Sequence, residues 1–220
     1  MKIAFSEADK TRIREAVHAA EGRTSGEIVP YVVPRSDTYP VAVWRGAAIA
    51  AVLALFVAML VAQFYVGWGL AWLYTSWGAT LVALAGGVAG ALLVHFVPAL
   101  KRLLAGPGRL AQSVHLRAKE AFLDEEVFLT RDRTGILLFL SLFEHRIEVL
   151  GDAGINQNVS PDEWADVVLR LREGIRQGQV TEGLVEAIGM CGALLERGGV
   201  TIRPDDVNEL PDSLRLRTDD

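Results

Sequence analysis

Between Gly46 and Leu100 the sequence contains no Asp, Glu, Lys or Arg. A water-soluble fold seldom goes so far without a charge, because charged side chains almost always stay on its solvated surface. This absence argues against a buried soluble core and for hydrocarbon as the solvent. A bilayer core about 30 Å thick takes roughly 20 apolar residues of helix. Val43–Val66 supplies one such run and Trp77–Val97 another. Between them Gly67 to Ser76 holds two glycines, two tryptophans and a tyrosine, residues suited to a turn at the water interface. The expectation is a transmembrane hairpin over residues 43–97.

Other things are missing too. The chain has one cysteine, Cys191, so no internal disulfide framework calls for an oxidising compartment. No Walker loop, G-x-S-x-G elbow, H-E-x-x-H or Cys-x-x-Cys pair is present. Cys191 itself sits at core spacing on a helix. The four histidines, His18, His95, His115 and His145, are far apart; His95 falls near the cytoplasmic end of the second span, where an ionisable group is a functional candidate or simply reaches the interface. A basic surplus is lacking as well. Residues 101–220 carry 15 basic and 21 acidic residues, residues 1–40 six of each, and the whole chain has a net charge of −5. That balance argues against nucleic acid as a partner. The apolar stretch begins only after residue 40, behind a polar segment, so it does not read as a cleavable signal sequence.

Cations flank the hairpin and avoid its loop. Arg35 precedes it and Arg45 stands at its very start; Lys101, Arg102 and Arg109 follow. Positive residues stay on the cytoplasmic side, so both termini are expected in the cytoplasm.

The polar parts read as alternating helix and strand. Ser6 is an N-cap with Asp9 three residues on, opening a helix with Ile13, Ala16, Val17 and Ala20 on one face and Gly22 at its end. Ser25–Pro34 is a β-rich run in which Pro30, lacking a donor, suggests an edge or a bulge. After Gly106-Pro107-Gly108 the spacing predicts a helix over 109–127. Gly135–Ser141 is apolar throughout, as a strand buried on both faces would be. Arg146–Leu150 is its expected hairpin partner, with Glu144 and His145 at the turn. Ser160-Pro161-Asp162-Glu163 is a sharp helix start; the helix it opens stops at Gly178. A last helix runs from about Thr181 to Arg197. The tail, 201–220, is charged and expected to be loosely ordered.

Counting elements joins the two polar pieces. A lone N-terminal helix and strand are too small to be stable, while the C-terminal piece has a free sheet edge. The expected fold is α/β: a small three- or four-stranded sheet with helices on both faces, split by an inserted two-helix transmembrane hairpin. In domain terms, 1–40 and 101–200 form the two parts of one domain, 43–97 the hairpin, and 201–220 the tail.

Several stretches resemble a known family. Thr24-Ser25-Gly26-Glu27-Ile28-Val29 is similar to the first strand of TPM-domain proteins, in the bacterial branch with a membrane hairpin inserted in the domain. Ala118–Phe122 with Thr134–Ser141 resembles that family's helix and central strand. Ile147–Ile155 resembles its second strand and a glycine-bearing loop, and Gly178–Leu184 also fits. The resemblance spans about residues 5–197. It implies a small mostly parallel or mixed sheet between helices, in a protein of the bacterial inner membrane. It also brings photosystem maintenance in chloroplast relatives, and divalent-metal binding and acid phosphatase activity proposed for some members.

For chemistry, the remaining constellation is acidic. Glu27, Asp132 and Asp152, with Asp162 as a further candidate, lie at strand or helix ends beside glycine-bearing loops. Oxygen ligands so gathered are what Ca2+ or Mg2+ requires. Solvated loop carboxylates, or pairing with Arg131, Arg133 and Arg146, are the plainer alternatives. The leading functional reading is a membrane-tethered binding or scaffolding module with no catalytic residues assigned. Its partners would be the lipid bilayer and another membrane protein or a second copy of the chain. A metal-dependent phosphohydrolase is one alternative, and a small channel or transporter subunit is another. Gly86 and Gly90 stand at G-x-x-x-G spacing, fitting close packing within the hairpin or between copies.

The topology is checked by cysteine labelling. With Cys191 replaced by Ser, Thr75→Cys and Ser213→Cys are expected to react from opposite sides of the membrane. Labelling of both from one side would overturn the two-span arrangement.

Overall fold

A computed structural model describes residues 5–64, 72, 75–157, 159–205 and 207–217. The chain divides into two units, Met1–Asp37 with Ala111–Asp220, and Thr38–Leu110. In chain order the elements are α1 (Glu7–Glu21), β1 (Glu27–Val33), α2 (Pro40–Phe64), α3 (Ser76–Phe96), α4 (Pro98–Ala105) and α5 (Pro107–Asp124). β2 (Gly135–Ser141), β3 (Arg146–Gly151), α6 (Ala153–Asn156), α7 (Pro161–Arg176), α8 (Val180–Arg197) and β4 (Arg215–Leu216) follow.

The first unit is an α/β domain. Its sheet has the order β3-β2-β1-β4. β1 runs parallel to β2, with Glu27 opposite Gly135 and Val33 opposite Ser141, and β3 is antiparallel to β2. Every residue of β1 and β2 is buried, because helices cover both faces. Side chains alternate along a strand, and the two cores follow that alternation. Ile28, Val32, Ile136, Leu138 and Leu140 pack with Ile13 and Val17 of α1 and with apolar residues of α7 and α8. Val29, Tyr31, Val33, Leu137 and Phe139 pack on the other side with Val114, Ala118 and Ala121 of α5. There Tyr31 and Phe139 stack with centroids 5.7 Å apart.

Local signals fix the helix ends. Ser6 and Asp9 form a reciprocal capping box at α1, and Ser160 and Glu163 form another at α7, where Pro161 occupies the first turn. α7 stops before Gly178, whose φ of +75° suits a residue without Cβ. α5 begins and ends two or three residues before the sequence expectation, and α4 and α6 are additional short helices.

Pro30 lies in an unbroken strand, not at a bulge. Alternate residues of β1 turn their backbone groups to opposite sides. Glu27 N donates to Thr134 O on the β2 side. Ile28 N turns away and donates to the Glu21 carboxylate at 2.8 Å. Val32 O accepts from Arg217 N, and β4 pairs only with Tyr31 and Val32. Pro30 falls between these two contacts on the outer side, where no donor is needed. The tail also departs from expectation: it supplies β4, and ion pairs join Arg203 to Asp132, Arg215 to Glu125 and Arg217 to Asp124.

The second unit contains two helices long and apolar enough to cross a membrane, α2 and α3. At 1.5 Å per residue they measure about 37 Å and about 31 Å. Val52, Met59, Leu84 and Phe96 among others are more than half exposed, so these helices are not the buried core of a soluble unit. The turn expected at 67–76 lies mostly outside the described residues. Thr75 caps α3 by accepting from Gly78 N at 3.1 Å. Small residues hold the pair together. A Cβ on Gly86 would lie 2.6 Å from Ala54 Cβ, and one on Gly90 would lie 2.5 Å from Gly46 O. The glycine spacing therefore packs α3 on α2 within one chain. Arg45 Nη1 donates to Leu104 O at 2.7 Å, fastening the start of α2 to the end of α4.

The central place of β2 sets a stability test. Leu138, fully buried, should cost about 2–5 kcal/mol when changed to Ala. Leu129, 58% exposed, should change stability by less than about 0.5 kcal/mol. Urea unfolding in detergent micelles, followed by near-UV circular dichroism, measures both; equal losses would refute the assigned core.

Candidate functional site

The three acidic residues expected to converge do stand at one end of the sheet. Glu27 opens β1, opposite Gly135 at the start of β2. Asp152 follows β3, and its N–H donates to Gly135 O at 2.9 Å. Asp132 lies in the turn before β2. Sharing an end of the sheet does not make them share a ligand position. The Glu27 carboxylate accepts from the backbone N–H groups of Glu209 at 3.0 Å and Leu210 at 3.3 Å. Asp152 is paired with Arg133 at 2.6 Å and also caps α6 through Ala153 N at 2.7 Å. Asp132 is paired with Arg203. Asp162 is exposed in the first turn of α7.

Among the described residues no three His, Cys, Asp or Glu side chains are grouped to hold a metal ion. The expected Ca2+ or Mg2+ site is thus replaced by separate pairs, because cations and amides from the tail and the β2 turn already occupy the carboxylates. Of the arginines named as alternative partners, Arg133 takes Asp152, while Arg131 turns to Asp205 at 2.9 Å.

The more unusual carboxyl is Glu21, which sequence reasoning passed over. It ends α1, and its Oε1 accepts from Ile28 N. Its Oε2 is sealed from solvent with no donor reaching it. Burial first, then the negative charges of Glu27 and Asp212, push its pKa up to about 9 against the opposing Ile28 hydrogen bond. At neutral pH it is therefore a neutral acid beside Asp212. Glu27 is raised too, first by burial, with the Glu209 and Leu210 amides opposing. The sequence signal was slight: an acid closing a helix just before a strand whose outer edge needed an acceptor.

Cys191 is fully buried, and burial pushes its thiol up to about 12, which removes it as a nucleophile at neutral pH. His115 Nδ1 lies 2.7 Å from Glu148, linking α5 to β3. His95 sits edge-on to Phe96. His18 reaches Asp212 at 3.3 Å.

An open groove lies beside the Asp152 turn, between α5, β3 and α6. Its volume is about 460 Å3, with Lys119, Phe122, Leu123, Leu150, Asp152 and Asn156 among its walls. Leu123 is 62% exposed. Asp152 is held by Arg133, while Lys119 is exposed and no ion pair engages it among the described residues. The groove is thus an apolar surface with a free ammonium on its rim.

No protein-family model and no curated protein sequence matches this chain. The NMR structure of BA42 protein from the psychrophilic bacterium Bizionia argentinensis is similar in fold. Its TM-score is 0.59 at 19% identity, covering 98% of this chain and 99% of that one. At that identity the likeness is one of fold alone.

Glu21 makes stability depend on pH in a defined direction. Its folded pKa, about 9, exceeds the ordinary 4.5, so between those values the native state holds a proton that the unfolded chain has lost. Its contribution is full below about pH 4.5 and falls as pH rises to about 9. Glu21→Gln, neutral at every pH, should melt higher than the parent at pH 8–9 and lose that advantage near pH 4.5. A constant difference across the range would show that Glu21 is not a buried neutral acid.

Proposed function

We propose that this chain is a membrane-anchored, TPM-like binding module of the bacterial inner membrane. Its α2–α3 hairpin lies in the bilayer with both termini cytoplasmic. The α/β unit docks an apolar, acidic segment of another membrane protein. The observation that carries this reading is the groove between α5, β3 and α6. Leu123 and Leu150 offer an apolar surface there, and an exposed apolar surface of this kind marks an interaction site. Lys119 selects a carboxylate beside the apolar contact. The membrane anchor rests on the exposed apolar faces of α2 and α3 and on the cations that flank them. The pairing of Glu27, Asp132 and Asp152 favours docking over metal-dependent hydrolysis as the work of this unit.

The test uses the full chain in lipid nanodiscs, free of detergent that would fill the groove. A fluorescent Leu-rich helical peptide with one Glu is titrated against the parent, Leu123→Asp and Lys119→Glu, and the matching Lys peptide against all three. Leu123→Asp should weaken both peptides, by about tenfold for each 1.4 kcal/mol lost. Lys119→Glu should reverse the preference from the Glu to the Lys peptide. Binding indifferent to both substitutions would sink the proposal. Peptide binding per chain that falls as copy–copy crosslinking rises with the number of chains per nanodisc would instead assign the groove to a second copy.

A further inference from the structure

A second cleft, distinct from the α5 groove, opens at the opposite end of β2. It has a volume of about 270 Å3, and its walls include Leu140, Leu142, His145, Arg172, Ile175 and Arg176. The apolar members come from the end of β2 (Leu140), from Leu142 just beyond it and from Ile175 of α7. The cationic members are two guanidiniums one helical turn apart on α7, and the imidazole of the β2–β3 turn lies beside them. Residues four apart on a helix share a face, so Arg172 and Arg176 reach the same mouth.

The charges around this mouth are unevenly matched. Arg170, on the same helix, is paired with Glu186 at 2.5 Å. Arg172 has no ion-pair partner among the described residues. Arg176 meets Glu173 only at 3.5 Å, and Glu173 also accepts from Gln177 Nε2 at 2.8 Å. The other nearby carboxylate, Glu144, is buried and turned to Ser36 N and Ser141 Oγ. Among the described residues no acidic side chain lines the cleft, although the chain as a whole is acidic. A cavity with apolar walls and few convergent polar groups is the usual form of a small-molecule site. In sheets with parallel strands such sites lie beyond the carboxyl ends of the strands, which is where β2 ends here.

We infer that this cleft binds a small organic anion: an oxyanion held by Arg172 and Arg176, with an apolar body against Leu140, Leu142 and Ile175. Guanidinium pairs meet carboxylate and phosphoryl oxygens in the same two-point geometry, so the shared chemistry is a planar or tetrahedral oxyanion. The volume sits just under the usual range for drug-sized ligands, which favours a single ring or short chain over a nucleotide. The same chemistry is offered by a free metabolite and by the phosphate of an acidic lipid.

The experiment titrates the full chain in phosphatidylcholine nanodiscs with benzoate, phenyl phosphate, inorganic phosphate and neutral benzyl alcohol, reading Kd by calorimetry. Benzoate or phenyl phosphate should bind saturably, and benzyl alcohol at least about tenfold more weakly. Arg172→Gln with Arg176→Gln should weaken the anion at least about tenfold while leaving the melting temperature of the free protein within a degree or two, since both side chains are exposed. Nanodiscs doped with phosphatidic acid separate the sources: if the lipid fills the cleft, benzoate binding falls in them and recovers in plain phosphatidylcholine; if not, the ligand is a free anion. Absence of saturable anion binding in plain nanodiscs, or binding unchanged in the double variant, overturns the inference. Neither result bears on the α5 groove, which Lys119→Glu probes separately.

Discussion

The parallel pairing of β1 with β2 is the constraint on which the rest of this protein depends. Glu27 and Gly135 are register partners, yet their positions in the chain differ by 108. Closing a loop that long from a disordered chain is entropically costly, though the cost grows only slowly with length. The inserted segment reduces the burden by being ordered itself. α2 and α3 run back along each other through small residues, and Arg45 ties the first turns of α2 to the end of α4. The insertion thus returns the chain close to where it left, and α5 completes a helical crossover of the kind parallel strands require.

Parallel pairing then dictates burial. Both strands are covered on both faces, which accounts for the uninterrupted apolar run of β2 and for the sorting of residues into two cores. It also leaves β1 with an outer edge. An unpaired edge is a template for wrong association, and the chain blunts it in three ways. Glu21 takes the Ile28 amide, Pro30 has no donor to offer, and β4 covers Tyr31 and Val32. The last of these is only two residues long. Partly exposed ion pairs are individually weak, so the tail is held by several of them, of which Arg215–Glu125 is the most buried, and by the backbone amides given to Glu27.

Elements with local signatures were legible in the sequence. Two reciprocal capping boxes, an apolar strand bounded by turn signals and a charge-free hairpin each follow from neighbours within a few positions. The tail was not legible, since Arg215 and Leu216 carry no periodic pattern and the contacts that seat them come from distant parts of the chain. The acidic constellation was half legible. Glu27, Asp132 and Asp152 do reach one end of the sheet, because glycine-bearing turns and strand ends cluster there. What the sequence could not display was their occupation: Arg203 comes 71 positions after Asp132, and the Glu209 amide 182 positions after Glu27. Glu21 was overlooked because an acid at a helix end ordinarily reads as solvated.

Electrostatics separates the structural carboxylates from the surfaces open to a ligand. At the acidic end of the sheet each charge is matched: Asp132 and Asp152 by arginines, Glu27 by two amides, Glu21 by keeping its proton. A divalent ion would have to displace those partners, at a desolvation and pairing cost that a preformed empty site would not impose. Beside the two apolar grooves the unpaired charge among the described residues is positive. Lys119 stands on the rim of one apolar groove, and Arg172 at the mouth of another. In a domain whose overall charge repels anions, cations left unpaired beside apolar walls attract only what reaches them closely, within a Debye length of about 8 Å at physiological salt. Recognition at either place must therefore combine apolar contact with a single well-placed negative group, and neither element alone would give selectivity.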